Sequence, residues 1–542
     1  MHMVKQALFH VENTEGMIDF ARFLSEFGWS ILSANKTEEL LKKEKIPVQR
    51  EQALVENNLY LNDTSALMQR IMASTFMDEP GTGSPNNANI GIICMNVQPA
   101  IHSINSETKL KAVMRPFNYY ISTILRNAFL NYENILILCD PADYKEAMIQ
   151  LRTNSIDPDF RVYLAAKALN LVSAFDGGIA SSLLIKTQKK KEFINYLTYP
   201  FERQFVLHSG SNQQQDGCLY KFPGMPSALG TVQKQQGKEL SYNTISDISF
   251  AWEQISMLST TLKNQFSVKS VNCDGYKFET QFTPLTGTVF TIAIKHKSIL
   301  GASLSTNILD SFTNTYTYDT EKIQGVTVAS SAVIDETAAN SISSCNPSAF
   351  AAIVAPGFTP QAKQILSANK KLDLIQVSKI ITPDFDMELI NGGLLFQTKD
   401  KTLFDHWDVK TKTRPGQVLA DQMAFGTILS MASRSYSAVL LKNNSAVGIS
   451  QACKTPERAV DVVLAEAQLH KENNNESNYG VLADVLVCDT AISLSDSIKK
   501  LADEGLKAII QPGGTQNDEE FINYCNDHLI SMIFTGMSHI SY

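Results

Sequence analysis

Short apolar segments alternate with amphipathic segments along the N-terminal part of the chain, and this alternation constrains the fold more than any other feature. The apolar run Ala7–Val11 precedes Glu15–Gly28, in which apolar residues recur at the spacing of one helical face. The same order returns in Trp29–Ser33 and Thr37–Lys43, where we expect Thr37 to cap the helix. Because strands that alternate with helices build parallel sheets covered on both faces, the sequence predicts an α/β fold.

The alternation continues as far as one long helical segment. It predicts a strand, a helix, a second strand, the start of a helix and the long helix, in the order Ile90–Val97, Ile121–Phe129, Ile135–Cys139, Asp140–Tyr144 and Phe160–Leu184. A basic, polar stretch near residues 186–200 then interrupts the periodicity, which favours a domain boundary there.

Strand signals recur beyond this boundary and predict a second α/β layer. The strongest strand predictions are Val289–Lys295, Ile353–Leu366, Ala438–Ile449, Leu482–Val487, Lys507–Gln511 and Met532–Phe534. The regions near 260–290 and 305–345 are rich in Ser, Thr and Asn and predict no definite elements.

Length and charge narrow the class of protein. A chain of 542 residues is too long for one hydrophobic core and should form roughly two to four domains. The formal net charge of −8 argues against nucleic acid as a partner, and we interpret the basic run Lys186–Lys191 as solvated surface. No secretion signal opens the chain and no stretch approaches the ~18 apolar residues of a membrane span, so we expect a cytoplasmic protein without a membrane partner.

Metal and disulfide patterns are absent from the sequence. The eight cysteines lie far apart without paired spacing, which indicates reduced thiols rather than a zinc ribbon or a disulfide framework. The sequence also lacks a His-x-x-x-His helix, a Gly-rich phosphate loop, and a His-x-Glu with Pro-Cys-x-x-Cys. We therefore expect no catalytic metal.

A series of motifs occurs in the order known from one enzyme family. Gly237–Asn243 is close to a Gly-Lys-Glu-Leu-Ser-Tyr-Asn-Asn signature, and Gln511–Gly514 followed by Asp518–Glu520 is close to a C-terminal one. Further matches are Asp140–Tyr144, Leu164–Ala168, Phe175–Ala180 and Phe534–His539. Through these motifs the chain resembles the bifunctional purine-biosynthesis enzymes that pair AICAR formyltransferase with IMP cyclohydrolase.

The resemblance implies three domains. Residues 1–197 would form a methylglyoxal-synthase-like domain with a parallel sheet, the cyclohydrolase-like part of the chain. Residues 198–370 and 371–542 would form two cytidine-deaminase-like α/β subdomains of the formyltransferase. Enzymes of this family are usually intertwined dimers, so a homodimer is expected.

The resemblance assigns catalysis to Lys295 and His296, which end a strand-like run. Formyl transfer from 10-formyltetrahydrofolate to an amine requires the amine to lose a proton and the oxyanion to be stabilised. His296 would assist deprotonation, and Lys295 would stabilise the oxyanion or protonate the leaving nitrogen. Neighbours in a strand point to opposite faces, so both reach one site only if the strand ends or kinks there, as Gly301 and the irregular Ser298 region suggest.

Binding residues for folate and the acceptor amine are also implied by the resemblance. They are Asn243, Asp489, Asp496, Gly513, Gly514, His208 and Gln324. A lone Asn or Asp in a loop is also a common turn former or helix cap, and an isolated His is often structural or exposed, so both interpretations stay open.

The phosphate-binding residues of the family have been replaced. His208–Gln215 stands where the family has Arg-Tyr-Gly-Glu-Asn-Pro-His-Gln, and Cys453–Pro456 stands where it has Gly-Gln-x-Ser-Arg. Ser538 replaces a terminal Arg, and Asp319–Val326 lacks the aromatic residue of the family's Asp-Pro-x-Ser-Ala-Phe-Gly-Gly loop. Because arginine suits phosphate oxygens, these losses indicate a changed acceptor.

The cyclohydrolase signatures are altered further. The Gly-Arg-Val-Lys-Thr-Leu-His-Pro motif has no counterpart in Met68–Phe76, and Asn-Leu-Tyr-Pro-Phe has become Asn96–Ala100. A family lysine falls at Leu130, and Ser33–Thr37 keeps only part of an anion-binding loop. Cyclohydrolase activity is therefore not expected.

Three hypotheses follow for function. The first is a formyltransferase that uses 10-formyltetrahydrofolate and an acceptor amine other than, or beyond, AICAR in a specialised pathway. The second is a divergent but working purine enzyme with both family activities. The third is a non-catalytic paralogue that binds a ligand or a partner.

Overall fold

The computed structural model describes residues 5–51, 67, 71, 90–96, 119–185, 193–221, 232–237, 239–271, 277–316, 324–473 and 481–541. Contacts divide the chain into two compact units, of which the first runs to Arg203 and the second takes most of the chain from Gln204 onward. No helix within the described residues is long and apolar enough to cross a membrane.

The first unit contains a five-stranded sheet in the order β3-β2-β1-β4-β5, with every pair parallel. Its strands are β1 (Gln6–Val11), β2 (Ser30–Ser33), β3 (Val48–Arg50), β4 (Ile90–Asn96) and β5 (Leu136–Leu138). Side chains of β1 alternate between two separate hydrophobic cores on opposite faces of the sheet: Leu8 lies in one and Phe9 in the other. Both faces are therefore covered, which confirms the predicted parallel α/β arrangement.

Helices of the first unit follow the predicted apolar spacing. They are α1 (Met17–Glu26), α2 (Asn35–Lys43), α3 (Tyr119–Leu130), α4 (Tyr144–Thr153) and α5 (Pro158–Ile185), with a 3-10 turn at Pro141–Asp143. The predicted cap at Thr37 is wrong. The N-cap of α2 is Ala34 without a side-chain bond, whereas the buried Thr37 hydroxyl lies 3.2 Å from both the amide and the carbonyl of Val11.

The second unit is built on a 12-stranded mixed sheet in the order β18-β23-β22-β21-β19-β20-β12-β11-β13-β14-β15-β8. Its strands are β8 (Val232–Gln236), β11 (Val289–Lys295), β12 (Ser298–Ser305), β13 (Val326–Ser330), β14 (Phe350–Ala355), β15 (Asp373–Val377), β18 (Asp408–Val409), β19 (Ala438–Lys442), β20 (Ser445–Ser450), β21 (Val485–Cys488), β22 (Ala508–Gln511) and β23 (Ser531–Phe534). Three two-stranded sheets consist of β6 (Glu202–Leu207) with β7 (Gly217–Lys221), β9 (Phe266–Val271) with β10 (Lys277–Phe282), and β16 (Phe385–Ile390) with β17 (Gly393–Thr398).

Eight helices lie between these strands in the described part of the second unit. They are α6 (Tyr242–Thr261), α7 (Ile308–Tyr316), α8 (Glu336–Ser344), α9 (Pro360–Leu366), α10 (Gln417–Ala432), α11 (Pro456–Asn473), α12 (Asp496–Asp503) and α13 (Asp518–Asp527). The predicted strand Ile353–Leu366 is wrong in its second half, because Thr359 caps α9 there with Pro360 at its first turn. The predicted strand Ala438–Ile449 is a hairpin with its turn at Asn443 and Asn444.

The 12-stranded sheet contains the same topology twice. Each half has a helix, a hairpin, a second helix, three parallel strands separated by helices, and an antiparallel edge strand. The pattern Lys-x-x-Ser-x-x-Gly begins at Lys295 in the first hairpin and at Lys442 in the second. The halves join where β12 pairs with β20, through Ser303 opposite Ser445.

Candidate functional site

The Lys-His pair lies at the first of the two equivalent hairpins. Strand β11 ends at Lys295, which pairs with Ser298 at the start of β12. Between them His296 and Lys297 have φ of 53° and 58°, the positive values of a type I′ turn. The strand therefore ends at the pair, as predicted. The Ser298 region is part of β12, and the register of β12 against β11 shifts between Ile299 and Gly301, which is the irregularity that the sequence suggests.

The two candidate catalytic side chains differ in their surroundings. The half-buried Lys295 ammonium donates to the carbonyl of Gln324 at 2.5 Å, so these two predicted residues are in contact. His296 is exposed at the tip of the turn, and its ring makes no hydrogen bond to the described residues. Its imidazole is therefore open to a ligand that approaches the turn.

A buried carboxylate that sequence reasoning did not single out supports this turn. Asp247, on α6, is 5% exposed and accepts hydrogen bonds from the backbone amides of His296 at 2.9 Å and Lys297 at 2.8 Å. The sequence signal was its position four residues after Asn243, one helical turn beyond the recognised signature.

The replaced segment His208–Gln215 lies against the same helix. Asn243 is the second residue of α6, and its side-chain amide donates to the carbonyl of Ser211 at 3.0 Å. His208 follows β6 and is exposed. Through α6, Asn243 and this segment are linked to the hairpin turn, although His208 makes no hydrogen bond or ion pair with Lys295 or His296 within the described residues.

The other replaced segment is held against the hairpin by a glutamine. The side chain of Gln451 accepts from the amide of Ile299 at 3.2 Å and donates to the carbonyl of Ile299 at 2.9 Å. Gln451 directly follows β20 and precedes Cys453 by two residues. The segment in which the resemblance predicts a replaced Arg is thus attached beside the Lys-His turn.

Strand directions bring the remaining predicted residues to the same edge of the sheet. The start of β12 faces the end of β20, and β20 runs in the same direction as β21, β22 and β23. Asp489 follows β21, and Gly513 and Gly514 follow β22. Four strand-to-strand steps separate β11 from β21, or about 19 Å, so Asp489 and Lys295 share an edge without touching.

Asp489 is enclosed by residues of the second half of the sheet. It is 1% exposed, and its carboxylate accepts from the amide of Ser437 at 3.0 Å and the hydroxyl of Thr490 at 3.2 Å. Burial raises the pKa of this carboxyl above its ordinary value, against the lowering effect of these hydrogen bonds. The side chain therefore stabilises the loop after β21 through these hydrogen bonds.

The two glycines and Asp496 differ in exposure and contacts. Gly513 and Gly514 have φ of 75° and 99°, and a side chain at Gly513 would collide with the ring of Phe534. The amide of Gly514 donates to Asp518 at 2.7 Å. Asp496 is the first residue of α12, with a side chain 92% exposed and an ion pair to Lys499 at 3.3 Å on the same helix.

A separate ionic cluster lies in the first unit, at the carboxyl end of β5. The Lys167 ammonium lies 2.6 Å from a carboxylate oxygen of Asp140 and 2.6 Å from one of Asp143. Burial tends to raise the pKa of both carboxyls. Contacts with Lys167 bring the pKa of Asp140 below its ordinary value, whereas that of Asp143 stays above it. Burial raises the pKa of the Cys139 thiol to about 12.

The residues that the resemblance places in an anion-binding loop hydrogen-bond to strand β1 in this structure. The hydroxyl of Ser33 donates to the carbonyl of Phe9 at 2.9 Å, and Thr37 bonds to Val11. Leu130, where the family lysine falls, is 65% exposed. Most of Met68–Phe76, Val97–Ala100 and the loop up to residue 323 lie outside the described residues.

Metal-ligating side chains are scattered in the described ranges. No group of three or more His, Cys, Asp or Glu residues there is arranged to hold a metal ion.

Comparisons with known proteins agree along the whole chain. A sequence model described as "AICARFT/IMPCHase bienzyme" matches residues 128–455. The chain is similar to proteins named "Bifunctional purine biosynthesis protein PurH" from Petrotoga mobilis (26% identical), Clostridium acetobutylicum (27%) and Brachyspira hyodysenteriae (26%), each covering 100% of both chains. A solved structure titled "Crystal structure of ForH" matches 33% of this chain and 99% of that chain, with 20% identity and a TM-score of 0.28. Because the family match extends over more than half of the residues, the chain belongs to the AICARFT/IMPCHase bienzyme family.

Proposed function

We propose that the protein transfers a formyl group from 10-formyltetrahydrofolate to an amine other than, or beyond, AICAR. The supporting observation is the hairpin turn that carries Lys295 and His296 at the end of the inner strand β11. There the exposed imidazole and the half-buried ammonium belong to consecutive residues. Family membership supports the donor, since enzymes of this family take their formyl group from that folate.

The two side chains would divide the proton transfers of the reaction. His296 accepts a proton from the amine as its nitrogen attacks the formyl carbon. Lys295 stabilises the oxyanion of the tetrahedral intermediate or protonates the folate nitrogen as it leaves. The hydrogen bond from Lys295 to the Gln324 carbonyl holds the ammonium at the turn before the ligands bind.

The altered surroundings of the turn support a changed acceptor. The two segments beside it, His208–Gln215 and Gln451–Pro456, contain no Arg, and they contact the hairpin side of the site through Asn243 and Gln451. A phosphate group would lose the bidentate partners that arginine supplies. Such a site suits a neutral or zwitterionic amine of a specialised pathway.

The repeated topology supports two cytidine-deaminase-like formyltransferase subdomains, expected at 198–370 and 371–542. Because β15 (Asp373–Val377) pairs with β14 and β8 of the first half, we place the boundary between them after Val377. The parallel sheet of the first unit supports a methylglyoxal-synthase-like domain at 1–197. We propose that this domain lacks cyclohydrolase activity, because Ser33 and Thr37 use their hydroxyls within the sheet. The exposed apolar side chains of the β16–β17 hairpin, such as Leu389 at 86%, support a homodimer.

The test is formyl transfer with 10-formyltetrahydrofolate and a panel of amines that includes AICAR. We expect turnover with an amine that lacks a phosphate. Removal of a general acid or base typically costs about 10²–10⁴-fold, so Lys295→Ala and His296→Ala should lower kcat within that range. Lys442→Ala is the matched control, because Lys442 holds the equivalent place in the second hairpin, and it should leave kcat unchanged.

Two outcomes would contradict this proposal. Turnover with AICAR alone would favour the alternative of a working purine enzyme with a rebuilt phosphate site. No turnover with any amine, together with no folate-dependent rise in melting temperature, would favour the non-catalytic paralogue.

A further inference from the structure

The turn that carries His296 is locally unfavourable. Positive φ at both central residues suits Asn and Gly, whereas a Lys side chain, as at position 297, occupies this region much less often. The equivalent turn of the second half has Asn443 and Asn444 at these places, with φ of 50° and 62°. The first hairpin therefore needs support that its own turn residues do not supply.

Asp247 supplies this support from another element. Its two carboxylate oxygens accept separately, Oδ2 from the amide of His296 and Oδ1 from the amide of Lys297. In a two-residue hairpin these two amides have no partner in the strand ladder. Because Asp247 is 5% exposed on α6, water competes little for these charge-assisted bonds.

We propose that Asp247 is a positioning residue for formyl transfer, an inference that rests on the proposed function. Its carboxylate holds the turn in the positive-φ conformation, and this conformation fixes the direction in which the His296 side chain leaves the backbone. Asp247 itself touches only backbone amides of the turn in the described structure.

Loss of this carboxylate should move the imidazole while leaving the rest of the site in place. A turn that relaxes toward negative φ changes the direction of the His296 side chain, and a displacement of about 1 Å can cost about 10²-fold in rate. The ammonium of Lys295 keeps its own contact with Gln324. Folate binding should therefore be affected less than the chemical step.

The second hairpin provides a matched control. Asp484 is also 5% exposed, and its Oδ2 accepts from the amide of Asn443 at 2.9 Å. It supports an equivalent turn, in the same unit, that carries no imidazole. Its Oδ1 also forms an ion pair with Lys507 at 2.7 Å. Asp484→Asn should thus cost stability through the turn contact and the lost ion pair without moving His296.

The experiment compares Asp247→Asn and Asp247→Glu with Asp484→Asn in the full-length protein. We expect kcat to fall about 10- to 100-fold in both Asp247 variants, with the KM for 10-formyltetrahydrofolate within about threefold of the wild type. Asp484→Asn should keep the wild-type kcat with an equal or larger loss of melting temperature, because it also removes the ion pair with Lys507. Adding Lys297→Gly to Asp247→Asn should restore part of kcat, because glycine takes positive φ without support.

Amide hydrogen exchange at His296 and Lys297 gives a readout that does not depend on activity. Both amides should exchange faster in the Asp247 variants and at the wild-type rate in Asp484→Asn. Unchanged exchange, or an equal kcat loss in Asp247→Asn and Asp484→Asn, would overturn the inference. If Asp247→Asn does not fold, Asp247→Glu decides by the same criteria. An inactive wild type would instead refute the proposed function, and exchange would still show whether Asp247 holds the turn.

Discussion

Asp489 shows how burial changes the use of a carboxyl group. From the sequence it was a candidate for hydrogen bonding to a pterin or an amine, with a turn-forming role as the alternative. The structure encloses it at 1% exposure, with its oxygens directed to Ser437 and Thr490. These contacts favour the alternative, in which the carboxyl closes the loop after β21.

This environment predicts how stability depends on pH. Burial raises the pKa of Asp489 in the folded state, so the folded protein holds this proton to a higher pH than the unfolded chain does. The destabilising effect begins as pH rises through the ordinary Asp value of about 3.9 and is complete above the folded-state pKa. Asp489→Asn removes the titrating group, so its melting temperature relative to the wild type should rise with pH over this window.

Thermal melts of both proteins between acid and neutral pH provide the measurement. Asp496→Asn is the control, because Asp496 is almost fully exposed and its variant should keep a constant offset. A difference between Asp489→Asn and the wild type that falls as pH rises would contradict the role of burial.

At the scale of elements, each of the two hairpins has a glycine at the point where it packs closest to the helix that covers it, and these glycines hold equivalent positions. A Cβ atom at Gly301 would collide with the carbonyl oxygen of Thr315 in α7, and one at Gly448 would lie 2.7 Å from that of Val463 in α11. The atoms in the way are backbone atoms of helices, which cannot rotate aside. The glycine of the repeated Lys-x-x-Ser-x-x-Gly pattern is therefore explained by packing.

Gly301→Ala and Gly448→Ala should each destabilise the protein by about 1–3 kcal/mol, the usual cost of overpacking a core. Chemical denaturation of the purified variants measures this free energy of unfolding. Gly393→Ala is the control, because a Cβ there has only ordinary contacts with Ile390 and should change stability by about 0.5 kcal/mol or less. An unchanged midpoint for Gly301→Ala would show that α7 yields to the added methyl.

The elements also show which secondary structure can be predicted from sequence periodicity and which cannot. Long helical segments such as Phe160–Leu184 were predicted well, because a continuous run of this length exceeds that of a strand. Ile353–Leu366 was not, since its apolar residues suit a strand and a helix equally, and the break between them consists of the Pro356-Gly357 turn and the Thr359 cap. The turn at Asn443 and Asn444 was overlooked for a different reason: the polar residues Lys442–Ser445 separate two apolar runs that were joined into one strand.

At the scale of the whole molecule, the halves of the 12-stranded sheet share one hydrophobic core. It contains Trp252 and Phe290 from the first half, and Phe425 and Ile533 from the second. Each half alone would expose apolar surface that the other half covers. The second unit should therefore unfold as one cooperative body, although its topology is repeated.

Truncation tests this expectation. A fragment of residues 193–542 should fold with a single thermal transition and keep formyl transfer, because it contains the shared core and the Lys295 hairpin. A fragment of residues 193–405 should stay unfolded, because it lacks the core residues of the second half. Circular dichroism and calorimetry on both fragments decide the question, and a stable, cooperative shorter fragment would contradict the shared core.

The sequence by itself determined the α/β class, the alternation of strands and helices, the family and the pair at the end of β11. These properties depend on local periodicity and on short motifs, which can be recognised from residues close together in the sequence. Only the tertiary structure decided which side chains the sheet brings together. The contact from Asp247 to the turn of His296 spans 49 residues, and the burial of Asp489 depends on neighbours from other strands, so no local pattern contains either.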